Sequence, residues 1–302
     1  MLFRHSDIKR LIHCLRRWGT SKGEEVRLRD YIKNRSRLFT MDSEFSCPDR
    51  CNRFGCKDER LHVSVSIIDM VAASLVTGKT TSDLFGSHFK IGASPMDENP
   101  WIQRFVLELK KPCPFLAVKD CGIYRRRPIT CALFPEAFFL FPGQEGWLNR
   151  EKFGHYPCLR KPPMISEKRR SNLVALMETA RREAFLTEFY FFGFSPFCVD
   201  LRNTAVELME VSQQISGSIG GGEERYDVPH EAFEQTLINR LGRGGYLAEI
   251  NAKVERLNSP RNIEALYEIK ELTDTMAVSD KDFPYCYEFD ERDRLKLVKR
   301  PI

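Results

Sequence analysis

The sequence has no long hydrophobic run, no internal repeat and no low-complexity block in its 302 residues. No window approaches the roughly 18 uncharged apolar residues that a membrane-spanning helix needs. The first residues, MLFRHSDIKRLIHCLRRWG, are basic and lack the unbroken apolar segment and small-residue cleavage site of a secretory signal. These absences argue against membrane and secreted classes, so we expect a cytoplasmic protein whose thiols stay reduced.

The usual marks of nucleotide and nucleic-acid binding are also missing. The glycine-rich segment GSIGGG has no following lysine, which predicts a flexible linker rather than a phosphate-binding loop. Lys and Arg number 47 against 42 Asp and Glu, for a net charge of +5. This balance argues against a concentrated basic face, so nucleic acid is not expected as a partner.

Cysteine is what the sequence has in abundance, with ten residues in all, seven of them between positions 47 and 158. In a reducing compartment, clustered cysteines indicate metal ligands or catalytic groups rather than disulfides. None of the spacings is the C-x-x-C pair of a zinc ribbon, but proline and glycine in CPDRCNRFGC allow bends that turn sulfurs inward. The candidate ligands are Cys47, Cys51, Cys56, Cys113, Cys121, Cys131 and Cys158.

The other three cysteines are predicted to have no special chemistry. Cys14, Cys198 and Cys286 stand alone among apolar or aromatic neighbours. Free cysteine behaves as a small hydrophobic side chain and is among the most buried residue types. Replacing Cys198 or Cys286 should therefore leave metal binding intact.

Ligation by thiolates alone selects zinc or an iron–sulfur cluster over hard cations. Four cysteines fill a closed Zn²⁺ site or hold one [4Fe–4S] cluster, and both alternatives stay open. Seven cysteines exceed one such site, so either three are spare, or two sites share sulfurs, or a non-cysteine ligand such as His155 completes a second site. Arg125, Arg126 and Arg127 either offset the negative charge of the thiolates, with Arg127 the nearest, or form a solvated basic loop. Tyr124 and Phe134 are expected to shield the site from water.

Several helices are predicted from their end signals. Ser66 resembles an N-cap and Gly78 a stop, and a short helix follows over DLFGSHF. Arg127-Pro128 is expected to open a short helix with Cys131 in its first turn. Ser166 is predicted to cap a long helix, and further helices follow Asp200, surround Phe233 and start at Ser259-Pro260.

Two strand features are predicted between the cysteines. The segment FVLELKKPCPFLAVKDCGIYR alternates and suggests a β-hairpin, with its turn near Lys119-Asp120 and Cys113 and Cys121 on opposite arms. AFFLF is predicted as one more strand. The charged tail from Ser279 is expected to be extended or partly disordered.

These elements predict an α+β protein in which a small cysteine-rich metal-binding module with a short hairpin packs against a mainly helical C-terminal half. The predicted divisions are an N-terminal helical segment (1–40), a cysteine-cluster domain (41–162), a helical region (163–278) and a charged tail (279–302).

The second cysteine group carries a resemblance to a known family. Cys113-Pro-Phe-Leu, Cys121-Gly-Ile-Tyr, Arg127-Pro and Cys131-Ala-Leu-Phe-Pro occur in that order. This arrangement resembles the YkgJ family of cysteine-cluster proteins, also called CxxCxxCC, over residues 47–135. Asp69, in SIIDMVAASLVTG, matches the acidic helix position of that family. The first cysteine group is thinner than in the family, because it lacks adjacent cysteines.

The resemblance implies a zinc- or iron-chelating protein of unknown biochemical activity. A more distant similarity to flagellin lysine N-methylases implies the alternative of an iron–sulfur-dependent protein-modifying enzyme. Such an enzyme needs titratable groups near the iron, for which Asp69, His62 and His88 are candidates, although a structural role explains each of them more simply. A zinc-dependent nucleic-acid-binding module is the least favoured alternative. No partner follows from the sequence, although the helical C-terminal half is a candidate surface for another protein.

Overall fold

A computed structural model describes residues 28–45, 52–96, 99–118, 120–140, 156–160, 164–193, 196–218, 228–258 and 285–299. Cys14, Cys47, Cys51 and His155 lie outside these residues, as does the helix predicted at Ser259. No helix in the described ranges is long and apolar enough to cross a membrane.

The α-helices in the described ranges alternate with short strands and irregular segments. They are α1 (Leu28–Leu38), α2 (Phe54–Lys57), α3 (Ile67–Thr77), α4 (Thr81–Leu84), α5 (Ile129–Leu133), α6 (Pro157–Arg160), α7 (Glu167–Phe192), α8 (Ala205–Ser218), α9 (His230–Arg243) and α10 (Tyr246–Arg256).

Six strands form one sheet centred on β3. They are β1 (Ser64–Val65), β2 (Phe89–Met96), β3 (Asn99–Leu109), β4 (Cys198–Asp200), β5 (Tyr285–Phe289) and β6 (Leu295–Lys299). Antiparallel β2 runs along one edge of β3, while β1 and β4 share the other edge. β5 pairs in parallel with β4 and antiparallel with β6. The protein is therefore α+β, and its sheet takes strands from both sides of residue 163.

The helix predicted after Ser66 is confirmed as α3. The Ser66 hydroxyl accepts from the Asp69 backbone N–H, and the Asp69 carboxylate accepts from the Ser66 N–H, which makes a capping box. Gly78 ends the helix with φ 70°, a left-handed conformation that glycine adopts without steric cost. Thr80 and Asp83 cap α4 in the same way, but α4 ends at Leu84 and is shorter than predicted.

The long helix capped by Ser166 is also confirmed, as α7. Its buried face includes Leu173, Leu176 and Leu186, and it ends at Gly193 in a left-handed conformation. α3, α7 and α9 pack their apolar faces against the sheet in one main core. This core fixes the position of the segments on which the cysteines lie.

The predicted hairpin over residues 105–125 is wrong in its pairing. FVLEL is the second half of β3, and its partner is β2. The segment after Leu109 leaves the sheet at Pro112 and Pro114, which have no N–H to donate to a ladder. It then turns back through a single bridge between Leu116 and Cys121.

Two further strand predictions need correction. AFFLF is not a strand, because Glu136–Phe139 forms a 3₁₀ turn held against the start of α7. Its Glu136 carboxylate accepts from the Arg169 guanidinium, which also donates to the backbone carbonyls of Leu38, Phe39 and Met41. The tail, in contrast, contributes β5 and β6 to the sheet, because β4 leaves an edge that β5 can pair with.

Candidate metal centre

A cavity of about 680 Å³ lies between α2, the segment after β3, and α5. Each described member of the predicted ligand set lines it, and none of these thiols is in a disulfide. They come from segments that are far apart in the sequence and are brought together by the fold. These residues are Cys56, Cys113, Cys121, Cys131 and Cys158.

Direct contacts join the first and second cysteine groups. The Cys113 N–H donates to the Cys56 carbonyl over 2.7 Å. Arg53, just before α2, forms an ion pair with Asp120 at 2.8 Å. Gly55 packs its backbone against the Phe134 ring, since a Cβ there would lie 3.3 Å from a ring carbon. Cys56 therefore belongs to the same site as the second cysteine group.

Backbone N–H groups are directed at two of the sulfurs. Burial raises the pKa of the Cys113 thiol, and a hydrogen bond from the Phe115 N–H opposes that rise. Burial likewise raises the pKa of Cys121, opposed by the Ile123 N–H. In each case the donor lies two residues after the cysteine, where the chain bends sharply. Such donors stabilise anionic sulfur and tune a bound metal.

Burial strongly raises the pKa of the Cys131 thiol. It lies in the first turn of α5, as predicted, although Pro128 is the N-cap rather than the first helical residue. The Ile129 N–H at the start of α5 donates to Asp69 over 3.2 Å. The Thr130 hydroxyl donates to the Ser64 carbonyl over 2.7 Å. These bonds tie Cys131 to α3 and β1.

Asp69 belongs to a buried network of ion pairs and hydrogen bonds. Arg35 on α1 contacts Asp69 at 3.0 Å and Glu183 on α7 at 2.5 Å. Glu183 also accepts from Tyr31 over 2.8 Å and from Ser66 over 2.7 Å. Asp69, which the sequence offered as a pocket residue, thus joins α1, α3, α5 and α7. It acts here as a structural partner of the segment that bears Cys131.

The thiols lie close enough to influence one another. After burial and hydrogen bonding, the charge of Cys56 contributes to the raised pKa values of both Cys113 and Cys121. Cys56 and Cys113 do the same for Cys131, where Lys111 acts in the opposite direction. The raised pKa values keep these thiols protonated in the metal-free protein, so a bound cation would have to displace their protons.

Arg127 is one of the three arginines predicted to offset the charge of the thiolates. It lines the cavity and lowers the pKa of Cys121 against the larger effect of burial. Its guanidinium carbon lies 4.0 Å from the centre of the Tyr124 ring. Its buried Nε has no hydrogen-bond partner among the described residues. Tyr124 is 51% exposed, so its expected role as a shield from water is not supported.

Cys158 occupies an aromatic corner of the cavity. It lies on α6, next to the buried Tyr156, whose ring stacks on Phe54 with centroids 6.0 Å apart. The Tyr156 hydroxyl donates to Asp58 over 2.6 Å, which anchors α6 near α2. Cys158 therefore lines the same cavity from α6, which aromatic packing and the Tyr156–Asp58 hydrogen bond hold in place.

The non-ligand cysteines lie away from the cavity, and the two candidate histidines make contacts of their own. Cys198 and Cys286 are buried together in a small apolar cluster, as predicted. His88 is mostly buried, with its ring centroid 4.6 Å from that of Phe115. His62 lines the cavity but turns its ring towards His230.

Within the described ranges, one set of three potential ligand atoms lies within 4.8 Å of one another, and it contains no cysteine. It consists of His62, His230 and Glu234. Sequence reasoning missed His230 and Glu234, although a histidine and a carboxylate four positions apart on a predicted helix share one face.

Comparison with known proteins gives no match. No protein-family model matches this chain, and neither a curated protein nor a solved structure does. The resemblance to the YkgJ family therefore stays a prediction that rests on the cysteine motifs themselves.

Proposed function

We propose that this protein holds a metal centre, an iron–sulfur cluster or Zn²⁺, in its cysteine-lined cavity. The observation that supports this function is that five cysteines from separate segments line one cavity. Residues 41–162 would then supply a metal-binding module. The proposed ligands are Cys56, Cys113, Cys121 and Cys131, with Cys47, Cys51 and Cys158 as further members.

The chemistry of the cavity suits a metal better than a free reactive thiol. A nucleophilic or redox cysteine needs a lowered pKa, whereas burial raises the pKa of Cys113, Cys121 and Cys131. A bound cation displaces the thiol protons and supplies the missing positive charge. The backbone donors at Phe115 and Ile123 would then support the thiolates.

The spacing of the sulfurs favours a cluster over a single ion. Four sulfurs on one Zn²⁺ lie about 3.8 Å apart, because each Zn–S bond is about 2.3 Å long. A [4Fe–4S] cluster holds each thiolate on a different iron, so its sulfurs are farther apart. Among the described residues, no three cysteine sulfurs lie within 4.8 Å of one another. We therefore place the iron–sulfur cluster first and Zn²⁺ second.

Metal analysis of the full-length protein purified without oxygen tests this function. We expect a brown protein containing iron and acid-labile sulfide in comparable amounts. A colourless protein with stoichiometric zinc would support the second choice. Protein that retains neither metal, and that takes up neither on reconstitution, would rule the proposal out.

Arg127→Gln is expected to weaken the metal centre while leaving the fold intact. Loss of an outer-sphere donor costs about tenfold or more in metal affinity, and Arg127 is the cavity arginine whose buried Nε is unpartnered. Arg125→Gln is the matched control, because it removes the same charge two residues away from an exposed position. The readout is the rate of metal loss to a chelator. Equal rates for the two variants would contradict the assigned role of Arg127.

The metal-free and metal-bound forms are expected to respond to pH in opposite directions. In the metal-free protein the folded pKa values of Cys113, Cys121 and Cys131 are raised. The unfolded state therefore releases protons first, and stability falls as pH rises above about 8.5. Metal binding requires thiolates, so the bound form loses stability as pH falls. The test is to measure the thermal unfolding midpoint of each form between pH 6 and about 9.5. Midpoints that change with pH in the same way in both forms would contradict this prediction.

A further inference from the structure

A second group of ligating side chains lies beside the first turn of α9, outside the cysteine set. Ligand atoms of His62, His230 and Glu234 lie within 4.8 Å of one another. The two imidazole rings meet edge to face, with centroids 5.1 Å apart. His230 and Glu234 are one helical turn apart on α9 and so point the same way.

A buried carboxylate orients one of these histidines. Glu108 on β3 is 2% exposed, and its Oε2 lies 3.3 Å from Nδ1 of His62. Gly92 on β2 makes room for it, because a Cβ there would lie 2.5 Å from the Glu108 carboxyl carbon. With Nδ1 held by Glu108, Nε2 of His62 is left as the ligand atom. Metal-binding histidines commonly have such a carboxylate on their other nitrogen.

We propose that His62, His230 and Glu234 bind a divalent transition-metal ion, with Zn²⁺ the best match, through ligands distinct from the cysteines. Imidazole and carboxylate ligands suit zinc, and three protein ligands leave a fourth position for water or another small ligand. Zn²⁺ bonds of about 2.0–2.1 Å place ligand atoms about 3.4 Å apart. The three side chains must therefore close by about 1.4 Å at most.

Lys90 is the competing cation at this site. Its ammonium contacts Glu234 closely and lies 3.5 Å from Glu108. A metal ion must displace it from Glu234, and its side chain, 36% exposed, can swing into solvent. Lys90→Met is therefore expected to strengthen zinc binding. If the carboxylates serve only as partners of Lys90, that substitution leaves zinc affinity unchanged.

Calorimetric titration of the full-length protein with Zn²⁺ tests the proposal, with the cysteine-bound metal retained. We expect one further equivalent to bind to the wild type, and at least about tenfold weaker binding to Glu234→Gln and His230→Ala. Glu231→Gln is the matched control, because it removes an exposed carboxylate from the same helix. It should bind as the wild type does.

Co²⁺ identifies the ligands of that additional ion. Co²⁺ bound by nitrogen and oxygen lacks the intense sulfur-to-metal charge-transfer absorption of a thiolate site, so the result is independent of what the cysteine centre holds. The proposal is overturned if no further equivalent of metal binds. It is also overturned if a sulfur-to-metal charge-transfer band grows as the additional Co²⁺ binds. Equal weakening by Glu231→Gln and Glu234→Gln would also overturn it, since binding would then reflect only the charge of the helix.

Discussion

Replacing Cys131 with serine is expected to reduce the retained metal to below about a tenth of the wild-type content, since loss of an outer-sphere partner alone costs 10–100-fold in affinity. Burial strongly raises the pKa of the Cys131 thiol, and Asp69 and Ser64 hold its helix in place. Serine keeps the shape but replaces the soft sulfur with a hard, weakly ligating hydroxyl. Cys121→Ser, at a partly exposed position, should show the same loss.

The matched control for this substitution is Cys286→Ser. Cys286 is 1% exposed, so serine there imposes a similar cost of burying a hydroxyl. It packs with Cys198, Met96 and Ile102, away from the cavity. Metal content by mass spectrometry should be unchanged in this variant. Full metal content in all three variants would show that the cavity thiols are not the ligands.

Arg35→Met is expected to lower the free energy of unfolding by about 3–5 kcal/mol, the cost of breaking a buried ion pair. Arg35 is the cation between Asp69 and Glu183, and all three side chains are at most 3% exposed. Its removal leaves two neighbouring buried carboxylates. Because Asp69 also accepts from Ile129 at the start of α5, the segment of Cys131 should loosen as well.

Urea unfolding at two pH values separates this effect from a general packing defect. Burial raises the pKa of Glu183, and Arg35 lowers it, so loss of Arg35 should raise that pKa further. A raised carboxyl pKa costs stability as pH rises, so the deficit should be smaller at pH 5 than at pH 7. Arg37→Met removes an exposed charge from the same helix and should change stability by about 0.5 kcal/mol at most. A loss of stability that does not depend on pH, or that Arg37→Met also shows, would contradict the stabilising role assigned to this network.

The helices were predictable where their end signals are local. Ser66 and Ser166 each accept from a backbone N–H three residues ahead, and Gly78 and Gly193 adopt the left-handed conformation that ends a helix. Every atom in these signals lies within a few residues, so the sequence contains the whole interaction.

The strands were predicted less well, because pairing joins distant segments. FVLEL was correctly identified as extended, but its partner is β2 rather than the following residues. β4 and β5 are parallel neighbours from positions 198–200 and 285–289. No local pattern specifies such a partner, since either strand can pair with any free edge of suitable register.

For the site, the sequence by itself determined which chemical groups are available: clustered thiols and an arginine beside them. Tertiary structure decided which side chains meet. It placed Cys56 next to Cys113, made Asp69 a partner of the Cys131 helix, and brought His62 to His230 and Glu234. The physical reason is that side-chain type sets what a group can bind, whereas convergence depends on long-range packing of the helices against the sheet.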